Sequence, residues 1–221
     1  MIILIGMPRC GTTAIEQFMS RQMSVVQSEL GELLLGGTIK ADFVRAESIA
    51  DSIRFKCPRE KWHRLMYVPG SWDQIKNDLV IDPFANAAAL KKRYPNAKII
   101  LITRERKDWL NSVYRYCVGQ MPMFKRSFAD YLKTPSGITH AMIDPIRLQA
   151  AYSDFDMTVL PYEDLVCEPE YFMHLLCSFT GAKEGVLPKT NQSFSAGIRR
   201  AFPFPLPRPV KNLARSLLIR T

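Results

Sequence analysis

The chain has 221 residues, enough for one domain with a tail, and its 47% hydrophobic and 23% charged residues are ordinary for a globular protein. This composition argues against disordered, collagen-like and repeat architectures. The 30 Lys and Arg residues exceed the 21 Asp and Glu residues, and the formal net charge of +9 predicts an anionic partner. No apolar run is long enough to cross a bilayer, and the first residues show no signal-peptide pattern, so we expect a cytoplasmic protein.

Short apolar runs alternate along the chain with segments of helical periodicity. The predicted strands are residues 2–5, 25–27, 79–81, 98–103 and 157–160. Several are continuously apolar, as strands buried on both faces are. Amphipathic helices are predicted between them, and the last one is bounded by Pro169 and Gly181. This alternation predicts an α/β fold with a parallel sheet of about five strands flanked by helices.

Two internal segments and the C-terminal end have weaker patterns. Residues 38–76 and 120–150 are expected to lie over the edge of the sheet where the strands end, because ligands bind there in such folds. We place a domain at residues 1–202 and a Pro-rich, basic C-terminal tail at residues 203–221. The tail could dock on a membrane surface or pack against the domain, and we favour packing.

Two classes of site have no support in the sequence. The five cysteines and three histidines are scattered and include no CxxC pair, so we predict neither a disulfide framework nor a metal site. No recognised nucleic-acid motif or interleaved basic and aromatic patch is present, so we expect no nucleic-acid partner.

The sharpest signal lies between the first predicted strand and the first predicted helix. The sequence there reads Gly6-Met7-Pro8-Arg9-Cys10-Gly11-Thr12-Thr13. Gly6 and Gly11 have the Walker A separation, but Thr12 stands where the P-loop lysine belongs. Backbone N–H groups and the dipole at a helix start favour negative charge, Thr12 and Thr13 add hydroxyl donors, and Arg9 adds a cation. We therefore favour an anion-binding loop over a turn without a ligand.

This loop resembles the 5'-phosphosulfate loop of the sulfotransferases that use 3'-phosphoadenosine 5'-phosphosulfate (PAPS). The common form in that family is Pro-Arg/Lys-Ser-Gly-Thr-Thr, and Cys10 replaces the serine here. A thiol is a weaker donor than a hydroxyl, so backbone contacts would carry most of the site. At the start of a helix the Cys10 thiol could have a lowered pKa or be an inert packed group, and the sequence leaves both open.

A second segment resembles the part of the same family that binds the 3'-phosphate. It reads Tyr94-Pro95-Asn96-Ala97-Lys98 and continues through an apolar strand to Arg104. The family has Phe-Pro-Asn-Ala-Lys before its 3'-phosphate arginine, and Ser112 follows Arg104 at the family's spacing. An arginine fork and a hydroxyl can grip one phosphate from two sides. Residues 162–165 resemble the family's Tyr-Glu-Asp-Leu segment, which we interpret as scaffold.

The resemblance implies a P-loop NTPase-like sulfotransferase fold and an enzyme with PAPS as co-substrate and no metal. The residues implied to bind PAPS are Pro8, Arg9, Cys10, Gly11, Thr12, Thr13, Arg104 and Ser112. Arg9 would also stabilise the charge that builds on the leaving oxygen. The acceptor would be a hydroxyl or amine, for example on a glycan or a protein tyrosine. The positive charge is compatible with an anionic glycan.

The resemblance also implies a catalytic base. In sulfotransferases of the heparan-modifying and tyrosylprotein types, a glutamate just after the second strand is the base, and Glu29 occupies that place, with Glu32 in reserve. The cytosolic type uses a histidine, and no histidine here lies in a comparable motif. One departure is Ile81, which replaces a lysine that assists transfer in the tyrosylprotein type. Either another basic residue, such as Lys56 or Arg59, would then supply that charge, or transfer would be weak.

Two alternatives stay open. One is a P-loop kinase that acts on a small molecule, although the loop lacks the lysine and no magnesium-binding Asp is clearly placed. The other is a non-catalytic nucleotide-binding protein with a degenerate site.

Overall fold

A computed structural model describes residues 1–7, 9–28, 33–34, 39–46, 53–56, 65–120 and 127–188, with the backbone alone at 53–55 and 118–120. The strands in these ranges are β1 Ile2–Gly6, β2 Val25–Ser28, β3 Phe43–Ala46, β4 Ile53–Phe55, β5 Leu79–Ile81, β6 Lys98–Thr103 and β7 Asp156–Pro161. The α-helices are α1 Thr12–Met19, α2 Trp72–Ile75, α3 Pro83–Arg93, α4 Arg106–Gln120, α5 Phe128–Tyr131, α6 Pro135–Ala141, α7 Pro145–Ala151, α8 Tyr162–Cys167 and α9 Pro169–Thr180.

The main sheet has five strands in the order β2-β3-β1-β6-β7, and every neighbouring pair is parallel. Every residue of β1 is buried, because helices cover both faces of the sheet. Ile2 and Leu4 pack in a core that includes residues of α1, α4 and α9. Ile3 and Ile5 point to the other face and pack with residues of α3 and α7. The predicted α/β fold with about five parallel strands is confirmed.

One predicted placement was wrong, and one correctly predicted strand lies in a different sheet. Phe43–Ala46 lies inside the main sheet between β2 and β1, not over its edge as we expected for residues 38–76. Arg45 interrupts the apolar pattern of this four-residue strand and conceals it in the sequence. Leu79–Ile81 is a strand, but it pairs antiparallel with β4 in a separate two-stranded sheet. Only Leu79 of its three residues is buried, which suits a sheet covered on one face.

The strand order creates a crevice next to β1. From β1 the chain runs to β2 and β3 on one side, and it then crosses to β6 and β7 on the other. Because the strands are parallel, their carboxyl ends share one edge, and ligands bind in such folds where the strand order reverses. That point lies between the ends of β1 and β6.

The described residues belong to the compact unit Met1–Pro188. The predicted boundary at residue 202 and the tail at residues 203–221 lie outside the described residues and stay predictions. Among the helices that the structure describes, none combines the length and the apolar character needed to span a bilayer.

The position of β3 inside the sheet can be tested with one substitution made on two neighbouring strands. Val44 of β3 is fully buried and pairs in register with Val26 of β2, whose exposure is 38%. We expect Val44→Ala to lower the free energy of unfolding by roughly 2 kcal/mol, because two buried methyl groups are lost. The matched control Val26→Ala should cost under about 1 kcal/mol. Equal losses in urea denaturation would contradict the strand order.

Candidate functional site

The loop after β1 turns sharply because of two residues with positive φ. Arg9 has φ 67° and Gly11 has φ 83°, backbone angles that residues other than glycine rarely adopt. Gly11 is the N-cap of α1, and it has no side chain that could accept a hydrogen bond from the first turn. The first N–H groups of α1 are thus available to a ligand. A Cβ on Gly6 would collide with Cγ2 of Thr12, so the strand end requires glycine as well.

The structure brings Arg9 and Arg104 together at the crevice. Arg104 follows β6, and its Nη1 donates a hydrogen bond to the backbone oxygen of Arg9 over 2.9 Å. The guanidinium carbon of Arg104 lies 4.3 Å from the centre of the Tyr162 ring, and that of Arg9 lies 4.8 Å from the centre of the Tyr116 ring. Each cation therefore rests on the face of a tyrosine.

Both arginines retain donor capacity. Within the described residues, the Nε–H groups of Arg9 and Arg104 are buried and have no hydrogen-bond acceptor. Nor does any carboxylate of that part of the chain form an ion pair with either guanidinium. Buried donors in native structures are almost always paired. Two buried cationic donors without acceptors at one crevice indicate a site for an anion.

Helix α4 carries Ser112 and begins two residues after Arg104. Ser112 and Tyr116 are four residues apart on α4 and share a helix face, and the Tyr116 ring contacts Arg9. The start of α4 is held by Glu105, whose Oε2 accepts a hydrogen bond from the backbone N–H of Asp108 at 2.8 Å. Backbone N–H groups of Asp108 and Lys107 hold the pKa of Glu105 below its usual value. This capping fixes the helix directly after Arg104.

Helix α8 ties the two halves of the site together. Tyr162, its first residue, lies under the Arg104 guanidinium. Oε1 of Glu163 accepts a hydrogen bond from the backbone N–H of Glu105 at 3.0 Å. A Cβ on Gly11 would lie only 2.8 Å from Cδ2 of Leu165, so α8 packs directly on the glycine loop. The segment that we interpreted as scaffold therefore contacts both the loop and the end of β6.

The two threonines of the loop have different surroundings. Thr12 packs its methyl group close to Gly6. Oγ1 of Thr13 accepts a hydrogen bond from Nη1 of Arg45 at 2.8 Å. The same nitrogen lies 2.7 Å from Oε2 of Glu16, so an ion pair between buried Arg45 of β3 and partly exposed Glu16 of α1 lies next to the loop.

The Cys10 thiol is buried, and burial disfavours its reactive thiolate form. Cys10 has no exposed surface, and burial raises the pKa of its thiol to about 12. The guanidinium groups of Arg104 and Arg9 act in the opposite direction, and the Glu163 carboxylate raises the pKa further. Of the two states that the sequence left open, the structure favours the packed thiol, because desolvation outweighs the nearby cations.

Some residues singled out in the sequence lie outside the described residues. These are Pro8, Glu29, Glu32 and Arg59. The strand before Glu29 ends at Ser28, at the same edge of the sheet as β1 and β6. Nζ of Lys56 donates to the backbone oxygen of Asn77 over 2.8 Å, beside β5.

Ile81 lies in a segment with a structural role of its own. It ends β5, and Oδ1 of the next residue, Asp82, accepts a hydrogen bond from the backbone N–H of Phe84 at 3.0 Å. Pro83 occupies the first position of α3. Asp-Pro-Phe is thus the start of a helix in this chain.

Three residues that contact residues of the site in the structure were not assigned to the site from the sequence. Tyr162 stood in a recognised motif but was interpreted as scaffold, and Tyr116 carried no signal beyond its spacing of one helical turn from Ser112. Arg45 carried a signal that went unused: a single arginine among the buried residues Phe43, Val44 and Ala46. A lone charge in a buried strand indicates a specific partner.

The family model described as sulfotransferase domain matches residues 1–158 of this chain. The match covers more than half of the 221 residues, and the chain belongs to the sulfotransferase domain family. No curated protein matches the chain.

Among solved structures, a sulfotransferase from Alicyclobacillus acidocaldarius is similar, with 17% identity and a TM-score of 0.49 over 90% of this chain and 88% of that chain. The mouse sulfotransferase SULT7A1, crystallised with PAP, has 16% identity and a TM-score of 0.48 over 90% of this chain and 63% of that chain. A sulfotransferase domain from the curacin biosynthetic pathway has 16% identity and a TM-score of 0.37, over 83% of this chain and 74% of that chain.

The described residues contain no group of three or more His, Cys, Asp and Glu side chains that could hold a metal ion. That transfer proceeds without a metal stays a prediction.

The burial of Cys10 predicts a difference in alkylation rates. With a pKa of about 12, the Cys10 thiol is almost entirely protonated at pH 8, whereas Cys167 is exposed. Iodoacetamide should label Cys167 at least about a hundredfold faster than Cys10, as measured by mass spectrometry of the two peptides over time. Cys167→Ser should remove this fast labelling, and Cys10→Ser should leave it unchanged. Similar rates at the two positions would show that Cys10 is accessible.

Proposed function

We propose that the protein transfers the sulfuryl group of PAPS to a hydroxyl or amine acceptor and releases 3'-phosphoadenosine 5'-phosphate (PAP). Membership of the sulfotransferase domain family supports the transferase class. The resemblance of residues 6–13 and of the segment ending at Arg104 to the PAPS-dependent sulfotransferases implies PAPS as the donor, and the two basic groups at the crevice support it. The loop of residues 6–13 would bind the 5'-phosphosulfate, and Arg104 with Ser112 would bind the 3'-phosphate.

The observation that carries the proposal is the pair formed by Arg9 and Arg104. They come from different strands, meet through the bond between Arg104 Nη1 and Arg9 O, and each has a buried Nε–H without an acceptor in the described part of the chain. A bisphosphorylated nucleotide carries anionic groups at both ends of one ribose. It would therefore satisfy both arginines at once.

The reaction is a displacement at sulfur. The bond between sulfur and the bridging oxygen of the 5'-phosphosulfate breaks, and a bond from sulfur to the acceptor oxygen or nitrogen forms. Negative charge accumulates on the departing 5'-phosphate oxygen. The guanidinium of Arg9 and the N–H groups at the start of α1 would stabilise that charge without rearranging, because the loop holds them in place.

The acceptor's proton needs a base, and we propose Glu29. This assignment rests on the resemblance to the glutamate-base sulfotransferases, because Glu29 follows β2 directly. Its carboxylate would take the proton as the new bond forms. Glu32 is the alternative base. We further propose an acceptor of anionic or carbohydrate character, since the net charge is +9. A cytoplasmic location stays a prediction.

Arg104 should make the protein bind a nucleotide with a 3'-phosphate more tightly than one without it. We expect the unmodified protein to bind PAP more tightly than adenosine 5'-phosphate in titration calorimetry, without magnesium. Arg104→Ala should weaken PAP binding by at least about thirtyfold, because charge-assisted hydrogen bonds are lost. Binding of adenosine 5'-phosphate should change little, so the preference should disappear.

Arg115→Ala is the matched control, because Arg115 is an exposed arginine on α4 and its removal changes the net charge equally. It should retain the preference for PAP. Tighter binding of ATP with magnesium than of PAP would contradict the proposal and indicate a kinase. Binding of PAP without transfer to any acceptor, in a screen with radiolabelled PAPS, would indicate a non-catalytic nucleotide-binding protein.

Glu29 should affect the rate and not the affinity. Once an acceptor is found, Glu29→Ala should lower kcat by about 10²–10⁴-fold, because proton transfer loses its base, and the Kd for PAP should change little. The same measurement on Glu32→Ala is the control and should show a nearly normal kcat. The reverse pattern would assign the base to Glu32, and unchanged rates in both variants would refute a glutamate base at this position.

A further inference from the structure

Arg45 is a charged residue in the middle of the main sheet. It lies in β3 between β2 and β1, in register with Leu4 and Gln27, and only 4% of its surface is exposed. Burying a guanidinium is costly unless the group is paired and hydrogen-bonded. A purely packing role would be served better by an apolar residue of similar size. The role of Arg45 therefore depends on what its guanidinium contacts.

The contacts of Arg45 lead to the glycine loop. Its Nη1 is 2.7 Å from Oε2 of Glu16 and 2.8 Å from Oγ1 of Thr13. Glu16 and Thr13 are both on α1, one turn apart. The ion pair balances the charge of Arg45, and the second contact attaches it to a hydroxyl in the first turn of the helix.

A threonine hydroxyl has one proton and can accept two hydrogen bonds. Because Thr13 Oγ1 accepts from a guanidinium, its proton cannot point towards Arg45 and must point elsewhere. A hydroxyl that accepts from a charged donor is polarised and becomes a stronger donor itself. Arg45 thus excludes one direction for the Thr13 hydroxyl proton and makes that hydroxyl a stronger donor.

We infer that Arg45 is a positioning residue for the sulfuryl donor, acting through Thr13. Arg45 holds the Thr13 hydroxyl so that its proton is directed to the anion at the start of α1, and Glu16 keeps Arg45 in place. This inference rests on the proposed function, because the anion is the 5'-phosphosulfate of PAPS. It goes further by assigning a role to a strand residue that does not itself touch the donor.

The test compares the effect of removing the ion pair with and without the Thr13 hydroxyl. Arg45→Met combined with Glu16→Met removes both charges of this ion pair, so neither member is left without the other. We expect this double substitution to weaken PAP binding by about fivefold, since the hydroxyl loses its orientation. In a Thr13→Val background the same double substitution should change the Kd by less than about twofold. Titration calorimetry gives the Kd, and thermal unfolding verifies that each variant is folded.

A merely structural ion pair would give a different result. It would lower stability in both backgrounds and weaken PAP binding equally in both, or in neither, and either result would overturn the inference. The control is Lys98→Met with Asp156→Met, which removes the ion pair of 3.3 Å at the opposite edge of the same sheet. This control should leave the Kd unchanged.

A second measurement keeps the inference testable if the double substitution does not fold. Arg45→Lys retains the charge next to Glu16 and loses the guanidinium fork. It should weaken PAP binding when Thr13 is present and have no effect in the Thr13→Val background. Failure of the unmodified protein to bind PAP would refute the proposed function and this inference together. Normal PAP binding with equal effects in both backgrounds would refute this inference alone.

Discussion

The hydrogen bond from Arg104 to the backbone oxygen of Arg9 is the contact on which the arrangement of the site depends. It joins the segment after β6 to the segment after β1 over 2.9 Å, across the point where the strand order reverses. Arg9 has a positive φ, a conformation that persists only where surrounding contacts enforce it. The bond from Arg104 and the stacking on Tyr116 are two such contacts. This one bond therefore holds the segment after β1 and the segment after β6 together at the crevice.

The arginines around this bond are stabilised in two different ways. Arg45 is nearly fully buried and is paired with the carboxylate of Glu16. Arg9 and Arg104 lie instead on the faces of Tyr116 and Tyr162. An aromatic face offsets part of the cost of burial and leaves the charge of the guanidinium available, whereas a carboxylate neutralises that charge. The choice of partner thus separates the arginine that supports the loop from the two that face the crevice.

The sequence was sufficient to predict a structural element where its pattern lay within one short segment of the chain. The continuous apolar runs predicted four of the five strands of the main sheet, and the glycine loop and Arg104 lie at the carboxyl ends of two of them. It failed at β3, because the ion pair that makes Arg45 compatible with burial joins residues 29 positions apart and leaves no periodic trace. The contacts of Tyr116 and Tyr162 were missed for the same reason, since they depend on how α4 and α8 pack. The base could be placed only by resemblance.

Helix α8 packs on Gly11 and is hydrogen-bonded to Glu105. These two contacts also affect how a nucleotide would bind. In the part of the crevice that the structure describes, contacts within the protein itself hold the helix start, both guanidinium groups and the α4 face. A preorganised cradle of this kind loses little conformational entropy on association. Its encounter rate would then be governed by diffusion and by the pull of the local positive potential on an anion, and would slow as ionic strength rises.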